Sequence, residues 1–387
     1  MPVLGMRGTG NFSADERPKN YRETILLLFP NTKAALTALM SKLKDRSVDD
    51  PEFKVFLKGL PNQRAVVSGS QTSGDTTIEL QGTTPATIFR KGHAVLNERT
   101  LEVIWVTADP VSAFTSISVA RGKGSTAAAM NDGDGLYIIG SSHQEGAPVP
   151  TAVTYDPTVI NNYTQIHRTA INVTNTQKET NVRTGNDLKE RQRESLELHG
   201  TEIEKALFFG TGVEDTSGAH PQRTTKGLLS WITTNVTDFA DAVSIDAWEN
   251  FLENVMKKGS RNKALMCGSR AVNVLNKLAR AHYTIQATPQ TETYGVSMTT
   301  WTTPFGDVQV MQHPLFTESP VFIDWGFVID FDNIEYVYLR NRDTQYLEAR
   351  QSPGDDATID EWLTECGLGM EHEQTHGVFK NASAFVP

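Results

Sequence analysis

Cysteine is almost missing. Cys267 and Cys366 are the only two in 387 residues, far apart and outside any CxxC pattern, which rules out a disulfide framework and a four-cysteine zinc site and suits a reducing cytosol. Long apolar runs are missing as well. The longest early one, Ile25–Phe29, has five residues, whereas a membrane-spanning helix needs about 20, so no membrane role is expected. Met1 to Asn20 carries Arg7, Asp15, Glu16 and Arg17 and no apolar stretch of signal-peptide length, so export by that route is not expected. Positive charge is in deficit: 36 Lys and Arg stand against 46 Asp and Glu, a net charge of -10. That argues against a dedicated nucleic-acid reader, whose affinity rests on net positive charge. No internal repeat is visible, which excludes solenoids and propellers.

What is present describes a globular chain. Hydrophobic residues at 38% and charged residues at 21% exclude disorder over the full length. A length of 387 residues predicts two or three compact units with enough core to need no staple. Residues 1–20 are polar and read as an arm, and Leu36, Leu39, Met40 and Leu43 then recur at helical spacing before the Asp49-Asp50-Pro51 break. From Ala65 to Gly146 the texture becomes short strand-like pieces, namely Thr76–Leu80, Thr87–Phe89, Thr100–Val106, Ser116–Ala120 and Leu136–Ile139, which predict a small antiparallel β module. Tyr163–Thr174 reads as a strand with Thr169, Ile171 and Val173 on one face.

The strongest single element is a helix over Thr184–Phe209. Leu188, Gln192, Ser195, Leu196, His199, Ile203 and Leu207 form its stripe, Thr184 and Asp187 its capping box, and Gly210 its terminator. A Gly, Ser and Thr-rich linker over 211–226 leads into an α/β part. There Trp248, Phe251, Leu252, Val255 and Met256 face inward on a helix from Ser244, a strand covers Ala264–Cys267, and Val272, Leu275 and Leu278 lie on a helix from Ser269. Strands at Ser297–Thr303, Val308–Gln312, Val321–Val328 and Ile334–Leu339 complete it. In the tail, Trp362, Thr364, Cys366, Leu368 and Met370 alternate as on a strand.

One catalytic pattern occurs by letter. His372-Glu373-Gln374-Thr375-His376 fits H-E-x-x-H, in which two histidines one helical turn apart bind zinc and the glutamate activates water. The segment continues the period-2 pattern of the tail, however, and residues four apart on a strand are about 13 Å apart, too far for one metal. No His, Asp, Glu or Cys follows His376 to serve as third ligand. Arg121-Gly122-Lys123-Gly124-Ser125-Thr126 lacks the spacing of a phosphate loop and reads as a hairpin tip. Asp330 with Asp332, and Asp355 with Asp356 and Asp360, could attract a hard cation but lack the alternating-ligand loop. Ser230, Ser269 and Ser352 sit in no nucleophile elbow. Trp231, Trp248 and Trp301 could stack bases, although packing is the commoner use.

A resemblance adds to this reading. Asn162-Tyr163-Thr164-Gln165-Ile166, then Val173-Thr174-Asn175-Thr176-Gln177, then Gly185, Leu188, Glu202-Ile203-Glu204 and Leu207 before Gly210 look like the strand and spine helix of one subfamily of phage capsid proteins. Phe89-x-x-Gly92, Glu102-x-x-x-Val106-Thr107-Ala108, Val119-x-Arg121-Gly122 and Glu145-Gly146 resemble the β module that some members insert in their extended loop. Over residues 50–385 the chain resembles the major capsid proteins of tailed double-stranded DNA bacteriophages, the Hong Kong 97-type fold. The resemblance implies an α+β fold with a long spine helix, an α/β axial domain and an extended β loop carrying a small β module. It implies an N-terminal arm over 1–60, the extended loop over 61–155, a peripheral domain over 156–226 with the spine helix at 184–209, an axial domain over 227–339, and C-terminal peripheral strands over 340–387. The expected function is a non-enzymatic shell subunit that self-assembles into hexamers and pentamers of an icosahedral or prolate shell. It would be located in the virion, and in the host cytoplasm during assembly. Expected partners are other copies, a portal, scaffolding or decoration proteins, and packaged DNA held without sequence preference. No cofactor, catalytic residue or metal ligand is implied. The alternatives are a zinc-dependent hydrolase through His372, Glu373 and His376, and a minor virion or decoration protein.

Overall fold

The computed structural model describes residues 44–386 apart from 60–61, 112, 153, 155, 181–186, 283–290 and 294–295. The arm expected over 1–20, the helix expected around Leu36 to Leu43 and the Thr184 cap lie outside the described residues. The chain divides into two compact units, Met1–Val55 with Val159–Pro387, and Phe56–Thr158. The strands Glu52–Leu57 and Thr158–Tyr163, through which the chain passes from one unit to the other and back, pair with each other.

The first unit is built on the strand Ala357–Met370. It pairs antiparallel with Gln165–Thr174 along a ten-residue register running from Gln165 opposite Cys366 to Thr174 opposite Ala357. On its other side it pairs with Ile334–Leu339 and with Gln345–Leu347, and Asp45–Val48 extends the sheet in parallel. The predicted alternation is present, with Cys366, Leu368 and Met370 buried on one face. The opposite face is buried too, which period-2 reasoning did not anticipate.

The long helix runs over Asp187–Phe209 and packs on this sheet. Ile203 and Leu207 are buried as the stripe predicts, but Leu196 is 42% exposed. In the N-terminal half of the helix the sheet is met by Gln192, Ser195 and His199, and Leu196 lies at the border of that seam, about 40° from Gln192 and about 100° from Ser195. Glu204, which the pattern placed on no inward face, is fully buried. Gly210 ends the helix without a left-handed conformation. Its role is close approach, because a Cβ there would lie 2.1 Å from the Thr225 carbonyl oxygen.

A seven-stranded sheet follows, in the order Val236–Asp238, Gly377–Lys380, Gly326–Ile329, Asn262–Cys267, Gly306–Gln312, Val296–Thr303 and Thr291–Thr293. One face is covered by two helices. Ile245–Met256 is capped by Ser244, whose Oγ accepts from the Ala247 N–H at 3.3 Å, and it buries all five predicted residues. Ser269–His282 buries Ala271, Val274, Leu275 and Leu278, while Val272 is only half-buried, so its stripe is rotated from the predicted one. The strand expected from Val321 begins only at Gly326, and Val321 is exposed.

The other face of this sheet shares a core with the first sheet. Met266, Met311, Phe327 and Val378 pack together with Ile203, Leu207, Phe208, Tyr336, Leu368 and Met370. The parts expected as separate peripheral and axial domains are thus joined by one apolar interior. Gly377–Lys380, grouped by expectation with the C-terminal peripheral strands, is instead an inner strand of the seven-stranded sheet. Its Val378 and Phe379 are fully buried, so they need two covered faces and find them there.

The second unit is a six-stranded antiparallel sheet in the order Arg64–Val66, Gly135–Ser141, His93–Asn97, Val103–Val106, Ser116–Ala120 and Thr77–Glu79. Its two outer strands also bond to each other. The Ser68 N–H donates to the Glu79 carbonyl at 2.9 Å and the Gln81 N–H to the Val66 carbonyl at 2.8 Å. These bonds close the sheet into a small barrel without free edges. Val67, Ile78, Phe89, Val95, Ile104, Val119 and Leu136 fill it. The expected strand Thr87–Phe89 is instead part of a 3-10 turn over Pro85–Ile88, since Pro85 presets the helical φ. Arg121–Thr126 is not a hairpin tip. It opens the long connection between Ser116–Ala120 and Gly135–Ser141, strands that are not neighbours in the sheet.

Replacing Ile203 by Ala, in the shared core, is expected to cost the unassembled subunit about 2–5 kcal/mol. Leu196→Ala on the outer side of the same helix should stay within about 0.5 kcal/mol. Urea unfolding of both variants checks the pair, and equal losses would show that the buried face of the helix is misplaced.

Candidate functional site

The zinc-like letters fall in neither a strand nor an α-helix. His372 sits in the left-handed region at φ 52°, and Glu373–Thr375 is a single 3-10 turn. His372 is exposed while His376 is fully buried. The strand expected to continue here ends at Met370. The Glu373 carboxylate accepts from the Thr233 N–H at 3.3 Å, the Thr234 N–H at 3.4 Å and the Thr234 hydroxyl. It is a turn clamp. The His376 Nδ1 accepts from the Asp330 N–H at 3.2 Å, which requires the neutral imidazole, and burial pushes this histidine down to about 4.

Around His376 lies the polar knot that seats the C-terminal strand. The Lys263 ammonium, 1% exposed, donates to the carbonyls of Val255 at 2.9 Å, Lys258 at 2.8 Å and Thr375. Two of these acceptors belong to the end of the helix Ile245–Met256, where unpaired carbonyls and the helix dipole favour a cation. The Asp330 carboxylate accepts from the Ser260 N–H at 2.8 Å, the Asp332 N–H at 3.1 Å and the Asn333 amide at 2.9 Å. Asp330 is therefore occupied by protein donors. Asp360 is likewise taken, by the Tyr346 hydroxyl at 2.6 Å and the Ala349 N–H at 3.0 Å. Asp355 and Asp356 are exposed and do not join it. Among the described residues no group of three metal-ligating side chains converges.

The tryptophans are packing groups. Trp248 is fully buried and stacks on Trp301 at 5.8 Å, and Trp231 is 7% exposed beneath the Lys226 ammonium. Cys267 and Cys366 are both buried, and burial raises each thiol to about 12, which leaves them inert.

Beside core residues such as Phe89, Ile203 and Leu207, the residues that carried the family resemblance include several polar clamps. The buried Asn162 amide donates to the Leu368 carbonyl at 2.7 Å and accepts from the Lys226 N–H at 2.7 Å, and the Gln165 side chain accepts from the Thr225 N–H at 3.1 Å. In the barrel, Glu102 and Arg121 form an ion pair at 2.7 Å with side chains 0% and 6% exposed, and Glu102 also accepts from the N–H groups of Gly122 and Ala128. Arg99 grips Asp134 with two bonds of 2.7 and 2.8 Å and holds its carboxyl at about 2. The long helix meets its sheet through a polar seam: Gln192 to Tyr346, Trp362 to Ser195, and His199 to Thr169 and Thr364. Near its C-terminal end the fully buried Glu204 bonds His313 at 2.9 Å beside Phe208 and Phe316. Glu204 lies within the Glu202-Ile203-Glu204 letters of the resemblance, but no spacing pairs it with His313, 109 residues away.

An organisation with a spine helix between two sheets, an α/β part and a β excursion is that of a Hong Kong 97-type shell subunit. Solved structures agree in fold. The holo-SrpI encapsulin complex of Synechococcus elongatus PCC 7942 aligns with a TM-score of 0.52 at 10% identity, covering 98% of this chain and 97% of that one. The capsid of an empty GTA particle aligns at 0.51 and 10% identity, covering 97% and 98%. The chain belongs to the SU10 major capsid protein family, whose family model matches residues 6–383. It is also 24% identical over 351 residues to a major capsid protein of Pseudomonas phage PaMx41, covering 87% of this chain and 82% of that protein. The protein is therefore a structural, non-enzymatic subunit of a phage capsid shell. Among the described residues no helix is long and apolar enough to cross a membrane.

His376 and His167 are both held near 4 by burial, against an ordinary value of 6.5. The unfolded chain thus binds their protons first, so their contribution to stability is complete above about pH 6.5 and is lost as pH falls through about 4. The loss is on the order of 3 kcal/mol for each. His376→Asn keeps an acceptor for the Asp330 N–H but does not titrate, so it should remove about half of this acid loss. Denaturant unfolding of both proteins across pH 4–7.5 tests this, and an unchanged slope would refute the assignment.

Proposed function

We propose that this major capsid protein closes its shell as rings of five and six copies. The spine helix with its five-stranded sheet, Ile334–Leu339 included, forms the peripheral part, the seven-stranded sheet with its two covering helices forms the axial part, and the barrel is the arm that contacts other copies. The observation that carries this reading is the barrel's independence. It has its own apolar core and no free edge, and the chain passes to and from it through two paired strands. A unit with its own apolar core is free to serve a purpose other than completing the core of the first unit. In a shell, where each copy presents different surfaces to different neighbours, such a unit gains its partners from other copies. The shell encloses double-stranded DNA held without sequence preference, and a net charge of -10 fits a protein that confines DNA rather than grips it. A portal and scaffolding or decoration proteins complete the expected partners.

Excising the barrel and joining Leu57 to Thr158 through a short Gly-Ser turn should leave the first unit folded, because its two sheets and three-way core stay intact. Closed particles should fail to form. Circular dichroism melts report the folding and negative-stain microscopy the particles. Normal closed particles from the shortened chain would show that the barrel is mere decoration.

A further inference from the structure

The outside of the barrel is less polar than a solvated sheet face should be. Trp105 is 42% exposed, Tyr137 43% and Ile139 50%. The register sets two of these in adjoining rows. Tyr137 lies opposite Leu96 and Leu96 opposite Val103, while Trp105 lies opposite both Ala94 and Ala120. Leu96, Val103, Ala94 and Ala120 are half-buried, so the rows form one continuous apolar strip across four strands. None of these side chains belongs to the barrel core, which occupies the other face. The strip leaves an apolar area on the solvent side of the barrel, apart from its core.

We infer that this strip, centred on Trp105 and Tyr137, is a contact surface for a second copy of the same chain. The inference rests on the reading of the barrel as an intersubunit arm and names the face it uses. Three observations select the occupant. The barrel has no free edge, so a partner cannot bind by adding a strand and must dock on side chains. The rim carries both signs: Arg64 and Glu98 pair at 2.7 Å on one border, and the Lys123 ammonium lies 5.4 Å from the Trp105 ring centre on the other. A polyanion such as DNA is poorly served by a mixed rim around apolar rings, whereas a protein surface is well served, since Trp and Tyr are the preferred anchors of protein interfaces. The family assembles shells from one repeated chain, which makes another copy the protein neighbour that every subunit has.

The test uses the two native cysteines' burial. Both are fully buried, so a Ser118→Cys substitution on the same exposed face introduces the one accessible thiol among the described cysteines. Maleimide should label it at least about 10-fold faster in free subunits than in particles made from the purified chain alone. Equal rates would overturn the inference. Protection seen only in complete virions would overturn it too, by assigning the strip to a different protein. A second variant, Trp105→Glu with Tyr137→Glu, should melt as the parent does yet raise the concentration needed for assembly by at least about 10-fold, while Trp105→Phe assembles normally. If the double variant does not fold, the labelling result decides. If barrel excision abolishes particles while the double variant assembles normally, the arm reading stands and this face is not its contact.

Discussion

A single strand that must be dry on both faces sets the terms for the first unit. Ala357–Met370 has the spine helix against one face, and on the other face it carries Glu361, Leu363 and Glu365, each less than 9% exposed. A central strand with carboxylates on it is tolerable only if every carboxylate is answered. Glu361 is answered by Arg168 and Arg350, and Glu365 by Arg342 and by the Thr164 hydroxyl. These partners come from both flanking sides of the strand. A slip of one residue would turn Cys366, Leu368 and Met370 out of the core and drive the glutamates into it. The ten-residue pairing with Gln165–Thr174, the placement of Arg342, and the seat of the spine helix therefore all depend on one register.

That dependence explains what could be read from the sequence and what could not. The helix Ile245–Met256 was readable because its buried face is wholly apolar and its cap is local: Ser244 reaches only three residues ahead. Ile334–Leu339 was readable for the same reason, as a β-branched and aromatic run. The spine helix was readable in length and, through Gln192, Ser195, His199, Ile203 and Leu207, in orientation; the partners of its polar seam were not, because they lie on strands remote in sequence. Leu196 looks like core and is not. The same limit hid Glu204, whose partner His313 is remote in sequence, and Lys263, which looks like any strand lysine until three carbonyls are brought to it by chain folding. In the barrel, Arg64–Val66 and His93–Asn97 were missed because each is short and begins on a polar residue, and their strand state comes from cross-chain pairing rather than from local alternation.

The family resemblance reads differently once these contacts are visible. Its quoted letters were neither catalytic nor merely packing positions. Glu102 and Arg121 are the two halves of one buried ion pair, and Asn162 and Gln165 clamp the chain at Thr225 and Lys226. Each group satisfies several backbone amides or carbonyls at once, so no single apolar replacement would fill the same space and leave those backbone groups paired.

Buried polar clamps are an odd choice if stability alone is the aim, since a well-packed apolar substitute often does as well. Their distinguishing property is asymmetry. A misplaced Leu loses part of its burial, but a misplaced Glu102 leaves a desolvated charge without donors, which costs several times more. Competing registers and packings are therefore penalised more steeply than the native one is rewarded. A shell subunit has a particular use for that bias. Its errors of shape are copied into every ring it joins, and closure fails if the rotation between copies drifts. The polar seam under the spine helix, the Lys263 knot at the C-terminal strand and the Glu102–Arg121 pair in the barrel sit at the places where one element's position fixes another's. Rigidity of shape, more than depth of stability, is what these residue choices secure.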